Sequence, residues 1–180
     1  MKFFRFKICI FGDGGVGKTT LINRYISGRF SDSFKMTIGV EFYIKNLEFN
    51  NLRVQLQIWD FAGEQQFKNL LPNYIIGASG GLYMYDISRF SSLKNLDDWL
   101  KIAKKSPDAQ TQYMPILLVG GKLDLESVGK RSIEREYAYE YGKKYNLFEL
   151  IECSSKTGKN IDLVFETLTQ KMISLSSPVV

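Results

Sequence analysis

The segment Gly12-Asp13-Gly14-Gly15-Val16-Gly17-Lys18-Thr19 lies between an apolar run, Lys2 to Phe11, and a stretch of helical periodicity from Lys18 to about Ser27. Its pattern, Gly-x-x-x-x-Gly-Lys-Thr, is that of a phosphate-binding loop. Glycines let successive backbone N–H groups turn toward an anion, and the following helix adds the positive end of its dipole. We expect Lys18 to reach the β- and γ-phosphates of a nucleotide and the Thr19 hydroxyl to bind Mg²⁺. The segment therefore predicts a strand, loop and helix that hold a nucleotide by its phosphates.

The same residues also contain the pattern Gly-x-Gly-x-x-Gly, at Gly12, Gly14 and Gly17, which is typical of dinucleotide-binding folds. Such folds place an acidic residue at the end of the next parallel strand, about 20 residues further on. That distance leads here to 31–38, before the next strand pattern begins. A dinucleotide site also has no use for a Lys-Thr pair after the third glycine. The pattern favours the phosphate loop, which kinases, ATPases and GTPases share.

The remaining sequence alternates between strand and helix patterns. Asn50-Asn51 separates two apolar runs, Val40 to Phe49 and Leu52 to Asp60, and suits the positive φ of a tight hairpin turn, so these strands should be antiparallel. Alternation of this kind predicts an α/β fold with a mostly parallel sheet. Further strands are expected over 81–86, 115–120 and 147–153, and helices over 92–105, 133–145 and 161–173.

Length and composition narrow the classes of function. A chain of 180 residues and 20.7 kDa with 44% apolar residues has the size of one folded domain. The absence of histidine excludes a Ser/His/Asp triad, a Cys/His dyad and imidazole metal sites. Cys9 and Cys153 lie in apolar strand patterns and are expected to be buried, reduced thiols. The net charge of +5 comes from interspersed charges, so we expect no nucleic-acid partner.

Targeting signals are not evident in the sequence. The longest uncharged stretch, Tyr74 to Tyr85, is shorter than the roughly 20 apolar residues that span a bilayer. Lys2, Arg5 and Lys7 interrupt the first apolar run before it reaches the length of a secretory signal. We therefore expect a cytoplasmic protein.

The third strand ends in Ile58-Trp59-Asp60-Phe61-Ala62-Gly63, which brings a carboxylate and a glycine to the edge of the sheet where the phosphate loop lies. Asp60 can hold a water molecule bound to Mg²⁺. The Gly63 amide can donate a hydrogen bond to a γ-phosphate, so loss of that phosphate would release the segment. A lone Asp-x-x-Gly is usually a turn, and its significance here comes from its position beside the phosphate loop.

Five segments together resemble the Ras superfamily of small GTPases, most closely its Rab-like branch. The likeness runs from about Phe6 to Met172 and implies a P-loop NTPase fold with three αβα layers and a six-stranded, mostly parallel sheet with one antiparallel edge strand. It also implies a GTPase domain over 1–174, followed by a C-terminal tail over 175–180. The five segments are 12–19, Thr37-Ile38-Gly39, 60–63, Gly120-Gly121-Lys122-Leu123-Asp124-Leu125 and Glu152-Cys153-Ser154-Ser155-Lys156-Thr157-Gly158.

The resemblance implies that the cofactors are GDP or GTP and Mg²⁺. Thr37 resembles the switch I threonine that joins Thr19 on Mg²⁺, and Asp60 would act on the metal through water. Phe30 resembles the aromatic that lies across the guanine, and Phe34 the one near the phosphates. The expected nucleotide-binding residues are Gly14, Gly15, Val16, Gly17, Lys18, Thr19, Thr20, Phe30, Phe34, Thr37, Gly63, Lys122, Asp124, Ser154, Ser155 and Lys156.

Asp124 resembles the carboxylate with which the family recognises the base. Guanine offers N1–H and a 2-amino group as paired donors, whereas adenine presents an acceptor at N1 and has no 2-amino group. A carboxylate facing adenine would be left unpaired, and sites of this kind reject the wrong partner by about 10⁴–10⁵. Lys122 would lay its aliphatic stem on the base, and Ser155 and Lys156 would support it from the other loop.

The chain departs from the family at two positions that affect binding and catalysis. The family's Asn-Lys-x-Asp reads Gly121-Lys122-Leu123-Asp124, and the missing amide is expected to weaken binding by up to about tenfold. The family's water-positioning glutamine is replaced by Glu64, which accepts but does not donate hydrogen bonds when ionised. We expect slow GTP hydrolysis through Glu64, with Lys18 and Gly63 as the other catalytic residues and Gln65 as a less favoured substitute for Glu64.

The resemblance implies a molecular switch that regulates membrane traffic or signalling through effectors bound at switch I and switch II. An exchange factor and a GTPase-activating protein would be its regulators, because neither switch segment supplies an arginine finger. We expect a monomer without an evident lipid anchor, with peripheral membrane association if a natural tail is missing. A nucleotide-loaded scaffold without turnover is the alternative, and a small-molecule kinase is disfavoured because no arginine-bearing lid is evident.

Overall fold

The computed structural model describes residues 2–32, 36–49 and 51–176. The described chain forms a six-stranded sheet in the order β2-β3-β1-β4-β5-β6, in which β2 is antiparallel to β3 and every other neighbouring pair is parallel. The predicted fold class, an α/β sheet with one antiparallel edge strand, is confirmed. The strands are β1 Lys2–Phe11, β2 Val40–Phe49, β3 Leu52–Phe61, β4 Gly80–Asp86, β5 Ile116–Gly121 and β6 Glu149–Glu152.

The described ranges contain six α-helices and three 3₁₀ segments, and all of them except the last helix connect strands. None of these helices is long and apolar enough to span a bilayer. The helices are α1 Lys18–Ser27, α2 Leu71–Tyr74, α3 Phe90–Lys94, α4 Leu96–Ala103, α5 Arg135–Lys144 and α6 Ile161–Leu175, and the 3₁₀ segments are Gln65–Leu70, Ala109–Tyr113 and Leu123–Val128.

Alternation of side chains along β1 divides the core between the two faces of the sheet. Phe6 and Ile8 are among the β1 residues that face one apolar cluster, which α1 and α6 cover. Cys9 and Phe11 face the other cluster, which α4 and α5 cover. Both cysteines are free and buried, as predicted, and burial raises the pKa of each thiol to about 12. The outcome is a three-layer arrangement with a sheet between two sets of helices.

The hairpin between β2 and β3 lies where the two asparagines predicted it. Phe49 is paired with Leu52 in the antiparallel register, and Asn51 has a φ of 61°. The helix predicted over 92–105 is divided into α3 and α4 by Asn95, whose ψ of −3° departs from helical values. The Asn95 side chain donates a hydrogen bond to Asp13 in the phosphate loop, 2.7 Å away. A hydrogen bond to a residue 82 positions earlier in the chain thus accompanies the break between α3 and α4.

Candidate nucleotide-binding site

A cavity of about 670 Å³ opens at the carboxyl edge of the sheet, where the loops after β1, β3 and β5 meet. This is the position at which open α/β sheets bind ligands. Ser154 and Asp60 lie behind the cavity wall, and Phe34 lies outside the described residues. The predicted site residues that line the cavity are Gly14, Gly15, Val16, Gly17, Lys18, Thr19, Thr20, Phe30, Thr37, Gly63, Glu64, Lys122, Asp124, Ser155 and Lys156.

The phosphate loop presents backbone N–H groups at one end of this cavity. Gly17, with φ 104°, precedes α1 in a left-handed conformation that is unfavourable for residues with a Cβ. Within the described chain, no side chain caps the start of α1, which begins at Lys18. The first N–H groups of the helix are therefore directed toward the cavity with the positive end of the helix dipole.

Lys18 lies beneath the loop and is only 6% exposed. Its Nζ donates hydrogen bonds to the carbonyl oxygens of Gly12, at 2.8 Å, and Asp13, at 2.9 Å. Burial lowers the pKa of Lys18 to about 8, although the nearby carboxylates of Asp60 and Glu64 oppose this shift. Anionic phosphates in the cavity would favour the charged form of this amine.

Three oxygen-bearing side chains converge beside Lys18. The Thr19 and Thr37 hydroxyl oxygens are 2.6 Å apart, and each donates to Oδ2 of Asp60, Thr19 closely and Thr37 at 3.4 Å. Asp60 is fully buried, and its Oδ1 has no hydrogen-bond partner among the described residues. Burial raises the pKa of Asp60 to about 6, against the lowering effect of the Thr19 hydrogen bond and the Lys18 charge. Hard oxygen ligands around a buried carboxylate atom without a partner fit Mg²⁺.

The segment after β3 lies directly against the phosphate loop. A Cβ on Gly63 would overlap the backbone of Gly14 and Asp13, so only glycine allows this approach. Glu64 reaches the same place, since a Cβ built on Gly14 would lie 3.0 Å from its Oε1. Its other oxygen, Oε2, is buried without a hydrogen-bond partner in the described chain. Gln65 does not line this cavity but borders a smaller neighbouring one.

The loops that follow β5 and β6, which the sequence predicts to recognise the base, are joined by hydrogen bonds. Oδ1 of Asp124 accepts a hydrogen bond of 2.6 Å from the Ser154 hydroxyl, and the Leu123 N–H donates to the Cys153 carbonyl at 3.0 Å. These bonds connect the loops although residue 121 has no amide side chain. They leave Oδ2 of Asp124 without a protein partner among the described residues.

The Lys122 amine forms an ion pair with the carboxylate of Asp86, at the end of β4. Its Nζ lies 2.7 Å from Oδ2 of Asp86, which is 4% exposed. Burial alone would raise the pKa of Asp86, but hydrogen bonds from Lys122 and Ser88 outweigh burial and lower it. The ionised carboxylate therefore holds the lysine stem along the wall of the cavity.

Sequence reasoning missed four polar contacts to the phosphate loop. Arg89, in the loop after β4, donates a hydrogen bond of 2.7 Å from Nη2 to the Gly14 carbonyl. Asp13 accepts hydrogen bonds from Trp99 Nε1 at 2.9 Å and from Asn95 at 2.7 Å, and Lys68 Nζ lies 3.9 Å from the same carboxylate. Arg89 lies outside the two switch segments, in which the sequence showed no arginine finger. The rule that ligand sites follow parallel strands would have drawn attention to Arg89.

These features define an α/β nucleotide-binding protein with a phosphate loop. The family model described as Ras family matches residues 7–174, and the chain belongs to this family. It is 35% identical over 168 residues to the Ras-related protein Rab-13 of Rattus norvegicus, covering 93% of this chain and 80% of that protein. It is 36% identical to the Ras-related protein Rab-19 of Xenopus laevis (95% and 78% covered) and 32% identical to the Ras-related protein Rab7 of Drosophila melanogaster (95% and 82% covered). The predicted Ras-superfamily, Rab-like GTPase is confirmed.

Proposed function

We propose that the protein is a GDP/GTP switch that binds its nucleotide with Mg²⁺, hydrolyses GTP slowly and acts in membrane traffic. One observation carries this proposal: a single cavity joins the phosphate loop, the Thr19 and Thr37 hydroxyls, which hydrogen-bond to Asp60 behind them, and the Asp124 carboxylate. The relatives' names, all Ras-related Rab proteins, support the biological setting. Phosphate binding, metal binding and base selection thus have their chemical groups in one place.

Base selectivity is tested by the nucleotide that accompanies the purified protein. Chromatography of the denatured supernatant should release GDP or GTP. Calorimetry on nucleotide-stripped protein with Mg²⁺ should then give heat with either guanine nucleotide. ATP should fail to displace GDP, because the free Asp124 oxygen would face an acceptor on adenine. Displacement of GDP by ATP as effectively as by GTP would refute guanine selectivity.

The switching mechanism would rest on contacts that require a third phosphate. Bound Mg²⁺ would neutralise negative charge on the phosphates. Lys18 would hold the β- and γ-phosphates, the Gly63 amide would donate to the γ-phosphate, and the Thr37 hydroxyl would complete the metal site. Losing these contacts would release the two switch segments, which we place at Phe34 to Val40 and Phe61 to Tyr74. The Thr37 hydroxyl already lies 2.6 Å from Thr19, as this closed arrangement requires.

Glu64 is the chain's candidate for positioning the attacking water. Its carboxylate lies against Gly14 at the phosphate end of the cavity, and one of its oxygens has no partner within the described residues. Glu64 lines the cavity, and a carboxylate can accept a hydrogen bond from water. A glycine at position 14 leaves the space open, since a side chain there would approach Glu64.

Glu64→Ala is expected to slow single-turnover GTP hydrolysis by about 10- to 100-fold, because the variant loses the group that orients or deprotonates water. Gln65→Ala is the matched control and should leave the rate within about twofold, since Gln65 lies outside the cavity. GTP affinity, measured in parallel, should change little in both variants. An unchanged hydrolysis rate for Glu64→Ala would rule out this role.

A second candidate function follows from the presence of Glu64 where the family has a glutamine. An ionised Glu64 only accepts hydrogen bonds and adds negative charge near the γ-phosphate, so the protein could act as a nucleotide-loaded scaffold without turnover. A phosphate-release assay separates the two functions. Slow, Mg²⁺-dependent release supports the switch, and no release above the buffer rate supports the scaffold.

Effectors would dock on the apolar surface between the two switch segments. Phe42, Trp59 and Tyr74 form a continuous aromatic row, with ring centroids 5.0 Å and 5.7 Å apart. Phe42 is 46% exposed, and Ile38 in the first switch segment is 76% exposed. Exposed apolar groups that adjoin a nucleotide-sensitive segment are suited to a partner that distinguishes the two nucleotide states. We also propose that an exchange factor and a GTPase-activating protein regulate the protein.

A further inference from the structure

Gly121 ends β5 at the position where the resemblance places an asparagine. A Cβ built on Gly121 would lie closer than 3.0 Å to the Met84 methyl carbon, and real Cβ atoms do not approach other atoms so closely. The same Cβ would lie 3.1 Å from the Val16 carbonyl oxygen and 3.4 Å from that of Tyr85. The space for a side chain at 121 is thus bounded by backbone on two sides and is filled by a methionine methyl on another.

Met84 belongs to β4 and is 1% exposed. Asp86 is paired with Gly121 in the register between β4 and β5, so Met84, two residues earlier, points to the same face of the sheet. Its side chain lines the nucleotide cavity, and its methyl carbon would lie 3.5 Å from a Cβ built on Gly17. The thioether therefore packs between the phosphate loop and the end of β5.

We propose that Met84 and Gly121 act as one unit that shapes the cavity wall between the phosphate loop and the base-recognition loop. The unbranched, polarisable side chain of methionine fills an irregular space that a polar side chain at 121 would otherwise occupy. Apolar packing thereby joins β4, β5 and the phosphate loop. This inference rests on the proposed function, because it assigns the pair a role in holding the nucleotide.

The packing of Met84 against Gly121 predicts that restoring the family's asparagine at position 121 weakens nucleotide binding instead of strengthening it. An asparagine at 121 would displace the Met84 methyl, because the backbone oxygens of Val16 and Tyr85 limit movement of the new side chain. Met84 is enclosed by the core and lines the cavity, so the cavity is the open side toward which the methyl can move. The single substitution Gly121→Asn should then weaken nucleotide binding, and shortening residue 84 should relieve the effect.

The experiment is a double-mutant cycle on the full chain, with Gly121→Asn, Met84→Val and the double variant. The dissociation rate of a fluorescent GDP analogue is measured with Mg²⁺ present. Gly121→Asn should dissociate about tenfold faster than the wild type, as expected for overpacking, and the double variant should return to within about twofold. Gly121→Ala, which adds only the Cβ, should change the rate in the same direction by a smaller factor. A Gly121→Asn variant that holds GDP as long as the wild type would overturn the proposal.

Thermal unfolding of the nucleotide-stripped proteins separates this inference from the proposed function. Gly121→Asn should lower Tm by about 3–6 °C, and Met84→Val in the same chain should recover most of that loss. A wild type that binds no guanine nucleotide would refute the proposed function, whatever the Tm values are. Additive Tm shifts would overturn the pairing even if GDP binds tightly.

Discussion

Asp124→Asn is expected to weaken GDP and GTP binding by about 10³-fold, because two charge-assisted hydrogen bonds to guanine are lost. Asparagine has nearly the same size and can keep the 2.6 Å contact with Ser154 through its remaining oxygen. Its NH₂ group, in place of the free carboxylate oxygen, then faces the N1–H and 2-amino donors of guanine. The asparagine NH₂ group and the guanine N–H groups are all donors, so the hydrogen bonds that the carboxylate would accept cannot form. Titration of a fluorescent GDP analogue measures the loss.

Asp98→Asn is the matched control for this variant, since Asp98 is an exposed carboxylate on α4 that lies outside the cavity. It should bind GDP within about twofold of the wild type. A purine that carries a carbonyl instead of the 2-amino group should bind Asp124→Asn better than it binds the wild type, because its acceptor would meet the new NH₂ group. Unchanged guanine affinity in Asp124→Asn would contradict the assignment of this residue to base recognition.

Lys18→Ala is expected to reduce GTP affinity by about 10²–10³-fold, the effect of removing one preorganised charged donor. The loss should be larger for GTP than for GDP, since we expect the amine to reach the β- and γ-phosphates. The amine is held by the carbonyl oxygens of Gly12 and Asp13 and is almost fully removed from solvent. An interaction with phosphate at this position would therefore be weakly screened by water.

Calorimetry with each nucleotide measures the Lys18 effect, and Lys104→Ala serves as the control because Lys104 is an exposed lysine at the end of α4. Circular dichroism should show the same secondary structure in both variants. GTP affinity that stays within about threefold of the wild type in Lys18→Ala would show that the phosphates bind elsewhere.

Local sequence signals predicted the parts of the molecule that depend on neighbouring residues. The Asn50-Asn51 pair indicated the β2–β3 hairpin because a tight turn is a local event. The phosphate loop was equally clear, since the conformation of the loop and the start of α1 are encoded within eight consecutive residues. Strand bounds were also close, as in β1, where the predicted and observed limits are both Lys2 and Phe11.

Contacts between distant segments could not be predicted in this way. The Ser154–Asp124 hydrogen bond joins loops 30 residues apart, and the Arg89–Gly14 contact spans 75 residues. Met84 lies in a strand whose residues are all buried, so its apolar character indicated only that it belongs to the core. Its contact with the space at Gly121 depends on the register between β4 and β5. The division between α3 and α4 has the same origin, because Asn95 reaches Asp13 only in the folded chain.

The hydrogen bond between Trp99 and Asp13 places a tryptophan, which is intrinsically fluorescent, beside the phosphate loop. Trp99 donates its indole N–H to Asp13, and the Lys68 amine lies 4.8 Å from the centre of the Trp99 ring. Lys68 belongs to the 3₁₀ segment Gln65–Leu70, which lies within the second switch segment that we propose. If that segment moves when GTP becomes GDP, a cation will leave the face of a buried indole. The emission of Trp99 should therefore follow nucleotide state in unlabelled protein, and the Trp99→Phe variant, which retains Trp59, gives the contribution of that second tryptophan.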